Sequence, residues 1–259
     1  MKHKERELDD IKETVNEMWR LVISQVEKSK QAFLTGDINL AREVSSRERR
    51  INAYELKIDS ECENYIALFA PVAIDLRLVL SLMKISNTLE RIGDFANGVA
   101  LHVIHDDCKE FSKALSEELR MKELFSMLLR MLTDSFVVLQ SENTKLVGQI
   151  LTQDEDVDKI YDDSIDVLSK YLANHPNQIA CGLKTLLLIR KLERIGDHCS
   201  NIVEEIVFYV DAKVLKHGGK TVPLDSNGKS KTEEPKKYLF FIVFKKISKL
   251  NGRGADFSC

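Results

Sequence analysis

A six-residue string, Leu-Glu-Arg-Ile-Gly-Asp, occurs twice in this chain, at residues 89–94 and again at 192–197, an offset of 103 positions. An internal repeat constrains the fold more tightly than composition does, because both copies must satisfy the same local geometry. The match widens around the string. Leu78, Leu82, Ile85, Leu89, Ile92, Ala96 and Val99 fall at alternating steps of four and three, and the positions 103 further on are Cys181, Thr185, Leu188, Leu192, Ile195, Cys199 and Ile202. Each set traces one apolar stripe, so both strings are expected in mid-helix, packed at a shallow angle on neighbouring helices. Gly93 and Gly196 then sit inside helices at a cost of about 1 kcal/mol relative to Ala, which predicts close approach of another backbone.

Extending the reading in both directions gives three helices, then three again. Residues 4–34 carry Ile11, Val15, Met18, Val22 and Val26 at helical steps and end at Thr35-Gly36-Asp37, a C-terminal cap followed by an N-cap. A second helix runs to about Phe69 with Leu40, Val44, Ile51, Ile58 and Tyr65 inward, and Pro71 opens the third, which holds the first string. Leu115, Leu119, Leu124, Leu128 and Leu132 lead into a fourth helix, and 141–143 is a turn. The fifth helix has Val147, Ile150, Val157, Ile160, Ile165 and Leu168 inward, and Asn174-His175-Pro176 opens the sixth as Pro71 opens the third. The expected fold is all-α: two tandem three-helix bundles related by the repeat, residues 1–107 and 108–215, then an irregular tail, 216–259.

The chemistry lies in carboxylates. Glu90 and Asp94 are four apart, as are Glu193 and Asp197, so each pair projects from one helix face, where like charges repel. The second helix of each half adds Glu55 and Asp59, matched by Asp158 and Asp162, and Glu63 matched by Asp166. Antiparallel packing would let these faces converge, and four gathered carboxylates need a cation. Oxygen-only ligands suit Mg, Ca, Mn or iron better than zinc. A single acidic pair is more often a solvated helix face; four pairs in one register favour a metal. His198 has Phe95 as its repeat counterpart, which makes it a core histidine or at most an auxiliary ligand. Arg91 and Arg194 read as surface ion-pair partners.

Much is excluded. No histidine has Glu three residues before it, as di-iron bundles require, and no phosphate-binding loop, nucleophile elbow or His-Glu-x-x-His helix appears. Residues 1–215 hold 28 Lys and Arg against 37 Asp and Glu, which repels a nucleic-acid backbone. No uninterrupted apolar run long enough to span a bilayer is read, the charged opening Met1 to Asp10 is not a signal peptide, and a cytoplasmic setting is expected. Five cysteines without a Cys-x-x-Cys pair fit reduced thiols, with Cys181 and Cys199 in the core. The tail reverses the charge balance, ten Lys and Arg against four Asp and Glu, and contains Tyr238 to Phe244 between two lysine pairs. That run reads either as a membrane-surface or partner-docking segment or as an extension with no role.

The doubled string, with Glu55-x-x-x-Asp59 and Asp158-x-x-x-Asp162 on the helices before it, resembles the PhoU family over roughly residues 5–215. The resemblance implies two three-helix bundles and a negative regulator of phosphate uptake and phosphate-starvation signalling. It implies a non-enzymatic adaptor between a phosphate ABC transporter and a sensor histidine kinase, reaching the membrane through its partners. It also implies iron or zinc clusters, or Mg or Mn, at Glu55, Asp59, Glu90 and Asp94 in the first half and Asp158, Asp162, Glu193 and Asp197 in the second. Asn201 follows the family pattern after Asp197, whereas the first half has Gly98 there and Asn97 beside it. A homodimer is expected. The alternatives are a metal-free helical module regulating a sodium-phosphate cotransporter, and a metal-dependent hydrolase or oxidase.

Overall fold

A computed structural model describes residues 2–105, 108 and 115–212. The expected tail, 216–259, lies outside the described residues. Within them the chain is helical throughout, with no strand: α1 (Lys2–Thr35), α2 (Ile38–Phe69), α3 (Ala73–Ile104), α4 (Met121–Ser141), α5 (Val147–Asn174) and α6 (Ile179–Asp211). The all-α reading and the three-plus-three order hold.

The helix ends follow from local chemistry. Gly36 adopts φ +70°, which a side chain would resist, and the Asp37 carboxylate then accepts from the backbone N–H groups of Asn39 and Leu40 to start α2. Pro176 heads the short turn before α6, where its missing N–H is not needed.

Both stripes face inward. Leu78, Leu82, Ile85, Leu89, Ile92, Ala96 and Val99 are buried, as are Thr185, Leu188, Leu192, Ile195, Cys199 and Ile202. The two bundles share one continuous core, and Trp19 of α1, fully buried, donates through Nε1 to the Leu132 carbonyl of α4 at 3.2 Å. Ile165 departs from expectation: it is exposed, because Ser164 takes the inward position one residue earlier. Helix α4 is long and apolar enough by composition to cross a membrane, a property missed by counting uninterrupted apolar residues. Its buried residues, among them Leu124, Phe125, Leu128, Met131 and Leu132, pack in the protein core instead.

Two further readings are corrected. The repeated glycines admit side chains, not another backbone: a Cβ at Gly93 would stand 2.7 Å from Ile51 Cδ1, and one at Gly196 would stand 2.9 Å from Asp154 Oδ1. The closely packed α2–α3 and α5–α6 pairs thus explain the glycines by knob-and-hole contact. The cysteines are not all thiols: Cys108 is disulfide-bonded to Cys181, while Cys62 and Cys199 are free and buried. Spacing within the sequence could not reveal this bond, because Cys108 follows the end of α3 and meets α6 only through the fold.

Candidate functional site

The two strings meet. Helices α3 and α6 run antiparallel across the junction: Lys84 pairs with Glu205 at 3.2 Å, Phe95 stacks on His198 with ring centroids 5.6 Å apart, and Gly98 lies beside the Lys191 side chain. Phe95 and His198 are repeat counterparts, so a local pseudo-twofold axis passes between their rings. The Arg194 guanidinium lies 5.4 Å from the centre of the Phe95 ring. Burial, followed by the charges of Arg194 and Arg91, lowers the His198 pKa to about 4, so the ring is a neutral junction residue at ordinary pH. The arginines of the string thus serve the junction as well as the surface.

On the first bundle the acidic face is built by α2 against α3. Asn87 donates to Glu55 at 2.8 Å and Asn97 to Glu48 at 2.6 Å, while the Cys62 sulfur lies 3.9 Å from the Val79 carbonyl, which fixes the register. Glu55 therefore lies alongside Glu90 and Asp94. Burial first, then the charges of Asp94 and Glu55, holds the Glu90 pKa up to about 6. Asp59 does not join them. It falls between the Glu55 and Cys62 contacts, nearer the Pro71 connection, and its pKa is raised by burial and then by Glu63 on its own helix.

The second face follows the same register. Burial, Asp197 and Asp158 push the Glu193 pKa up to about 7, with Arg190 opposing and Asp154 adding to the rise. Asp162 is exposed and lies a turn nearer the Pro176 connection than Asp158, beside the level at which Arg190 donates to the Tyr161 hydroxyl at 3.2 Å. Asp154 was missed by sequence reasoning. It is buried and accepts from the Ser200 hydroxyl at 2.8 Å, and its counterpart in the first half is Ile51, so a search for matched carboxylates passes over it.

Of the eight predicted ligands, six come together in two groups, Glu55 with Glu90 and Asp94, and Asp158 with Glu193 and Asp197. Among the described residues, no group of three or more His, Cys, Asp or Glu is arranged so that it could hold a metal ion. The donors have the right chemistry for a hard cation without forming a closed ligand set. Burial and the neighbouring carboxylates raise one glutamic acid on each face, Glu90 to about 6 and Glu193 to about 7, so each face takes up a proton more readily than a solvated carboxylate does.

Comparison with known proteins gives a consistent picture. The PhoU domain matches residues 15–103 and again 121–206. The chain is 32% identical over 215 residues to the phosphate-specific transport system accessory protein PhoU homolog of Pseudomonas aeruginosa, covering 83% of this chain and 88% of that one. It is 30% identical over 213 residues to the Escherichia coli (strain K12) protein PhoU, covering 82% and 87%. Among solved structures, PhoU from Pseudomonas aeruginosa superposes with a TM-score of 0.75 at 31% identity, over 80% of this chain and 99% of that one. The phosphate transport system regulatory protein PhoU from Streptococcus pneumoniae does so with a TM-score of 0.71 at 25% identity, over 82% and 98%.

Proposed function

This chain belongs to the PhoU family, and on that premise we propose that it is an accessory regulator of a phosphate-specific transport system. In this reading it restrains phosphate uptake and the phosphate-starvation response by binding partner proteins, a phosphate ABC transporter and a sensor histidine kinase, and it turns over no substrate. The observation that carries the reading is the doubled family domain, with each copy presenting one acidic face from the same pair of helices. Exposed apolar side chains offer further docking surface toward the other ends of these helices, Leu68 and Val72 around the α2–α3 connection and Ile179, Leu183 and Leu187 along α6. Regulation then requires that these surfaces bind one conformation of the partner better than another.

On the same reading the protein works in the cytoplasm as a homodimer and reaches the membrane through its partners. The metal part of the reading rests on donor chemistry alone: to hold iron, zinc, Mg or Mn the carboxylates of either face would have to move into a closed ligand set, and the cation would then relieve their repulsion.

The test is replacement in a bacterium lacking its own copy of such a protein. Expression of this chain should restore repression of a phosphate-starvation reporter in phosphate-rich medium, and the transporter ATPase or the kinase should co-purify with it. A variant with Glu90, Asp94, Glu193 and Asp197 all changed to Ala should fold and lose repression. A reporter that stays derepressed with well-expressed native chain, and no partner retained, would overturn the reading.

A further inference from the structure

The repeat offers a direct comparison at the ends of its bundles. In the first bundle the start of α1 is pinned to the start of α3 by Lys4, which donates to Asp75 at 2.7 Å. The repeat counterparts of these positions are 107 and 178. At that same place in the second bundle, one residue and three residues further on, stands the Cys108–Cys181 disulfide, with Cα atoms 5.7 Å apart and 73 residues between them. Where one half is closed by a partly buried ion pair, the other is closed by a covalent bond.

The four described cysteines divide into two kinds. Cys62 and Cys199 are buried, and burial pushes the Cys62 thiol up to about 12 and the Cys199 thiol higher still, so both stay protonated and inert. Cys181 is different. It is only half-buried, on the first turn of α6, with exposed Ile179 and Leu183 on either side, whereas Cys108 is 6% exposed. Cys181 is thus the more open of the two to an attacking thiolate.

We infer that Cys108 and Cys181 form a reversible thiol–disulfide site, a redox-sensitive clasp that closes the second bundle at the first turn of α6. The reductant is a dithiol. One of its thiolates attacks the Cys181 Sγ, forming a mixed disulfide and releasing Cys108 as thiolate. The second thiol of the dithiol then displaces Cys181, so that two electrons and two protons pass to the protein and the dithiol leaves as its cyclic disulfide. Oxidation by a small disulfide reverses the sequence. Reduction leaves the second bundle without the closure that Lys4 and Asp75 supply in the first, and the first turn of α6 is released more readily. This site is independent of the regulatory reading above, and its test contains no phosphate-signalling readout.

The experiment uses the purified chain in graded mixtures of reduced and oxidised dithiothreitol, pulsed at neutral pH with excess alkylating reagent on the folded protein and mapped by peptide mass spectrometry, with thermal unfolding and limited proteolysis run on parallel unalkylated samples. Cys108 and Cys181 should gain alkylation together, under native conditions, while Cys62 and Cys199 stay unmodified. The reduced protein should melt several degrees lower and be cut faster by protease at the first turn of α6. The paired Cys108→Ser and Cys181→Ser variant should behave as the reduced protein and lose its response to dithiol; should it not fold, the single Cys181→Ser variant reports the same loss. Two results overturn the inference: the two cysteines alkylated independently even in fully oxidised buffer, or a bond that yields to dithiol only after denaturant is added.

Discussion

The two bundles carry the same six residues and use them differently. In the first, the hole left by Gly93 receives Ile51, and the polar contact nearby, Asn97 to Glu48, lies toward the surface. In the second, the hole left by Gly196 receives the carboxylate of Asp154, which Ser200 holds from the next turn. A buried aliphatic knob in one half is a buried acid in the other. The difference teaches that the string specifies where two helices cross, through its glycine and its apolar stripe, and leaves open what fills the crossing. The acidic faces are unequal chiefly through burial, the first cause of the rise at both Glu90 and Glu193 and the stronger at Glu193, to which Asp154 adds only a last, small contribution.

That comparison breaks most visibly at the bundle ends. Replacing Cys108 and Cys181 together by Ser should cost on the order of 2–4 kcal/mol, most of it through a looser unfolded chain, whereas replacing Lys4 by Ala should leave stability close to that of the native protein. Urea unfolding of both variants, run without reductant, measures the two effects side by side. A smaller contrast is expected at the crossings. Ser200→Ala removes the donor to a buried carboxylate and should cost about 1–3 kcal/mol, while Asn97→Ala removes the donor to the half-buried Glu48, which water can serve instead, and should cost roughly 1 kcal/mol or less. Equal losses at the two sites would mean that Asp154 and Glu48 are solvated alike.

Most of the fold was legible from the string outward. The steps of four and three around Leu89 and Leu192 state the inward face, Pro71 and Pro176 the connections, and Gly36 with Asp37 the first cap. The candidate site was legible only to the resolution of one helical turn. Residue spacing says that Asp59 and Asp162 share a helix face with Glu55 and Asp158, but it does not say which turn of α2 or α5 meets Glu90 or Glu193 across the crossing. That register is set by side-chain volumes at Ile51, Gly93, Val157 and Gly196, which is packing, not periodicity. Asp154 and the Cys108–Cys181 bond were hidden for a related reason: each departs from the repeat, and the repeat was the instrument of detection.

The glycines sharpen the comparison at about 1 kcal/mol. Gly93→Ala adds a methyl that the far end of Ile51 can avoid by a rotamer change, and it gains roughly 1 kcal/mol of helix propensity, so its stability should change little. Gly196→Ala has the same propensity gain, yet its methyl displaces the Asp154 carboxylate from its bond with Ser200 while Val157 and Leu128 close the other sides. A net loss of about 1–2 kcal/mol is expected. The double variant Gly196→Ala with Asp154→Ile, which reproduces in the second bundle the Gly93→Ala variant of the first, should recover most of it; no recovery would show that Val157 and Leu128, not the acid, are what the methyl strikes.

The smallest predicted effect separates the two faces by pH. Glu90 and Glu193 have native pKa values above those of the unfolded chain, so between the two values the native state binds more protons and stability falls as pH rises. Glu90 contributes this slope from its ordinary range up to about 6, and Glu193 carries it on to about 7. His198 works against them, because its lowered pKa makes stability rise with pH from about 4 to its ordinary value. Differences between variants cancel that opposing term. Glu90→Gln should flatten the curve only below about pH 6, and Glu193→Gln should flatten it up to about pH 7, each by about 1 kcal/mol or less once solvent screening is allowed for. Chemical denaturation at half-unit steps between pH 5 and 8 would read the two windows. If both variants flatten the same window, neither the burial of Glu193 nor the added charge of Asp154 distinguishes the faces, and the unequal filling of the two crossings has no electrostatic consequence at the surface.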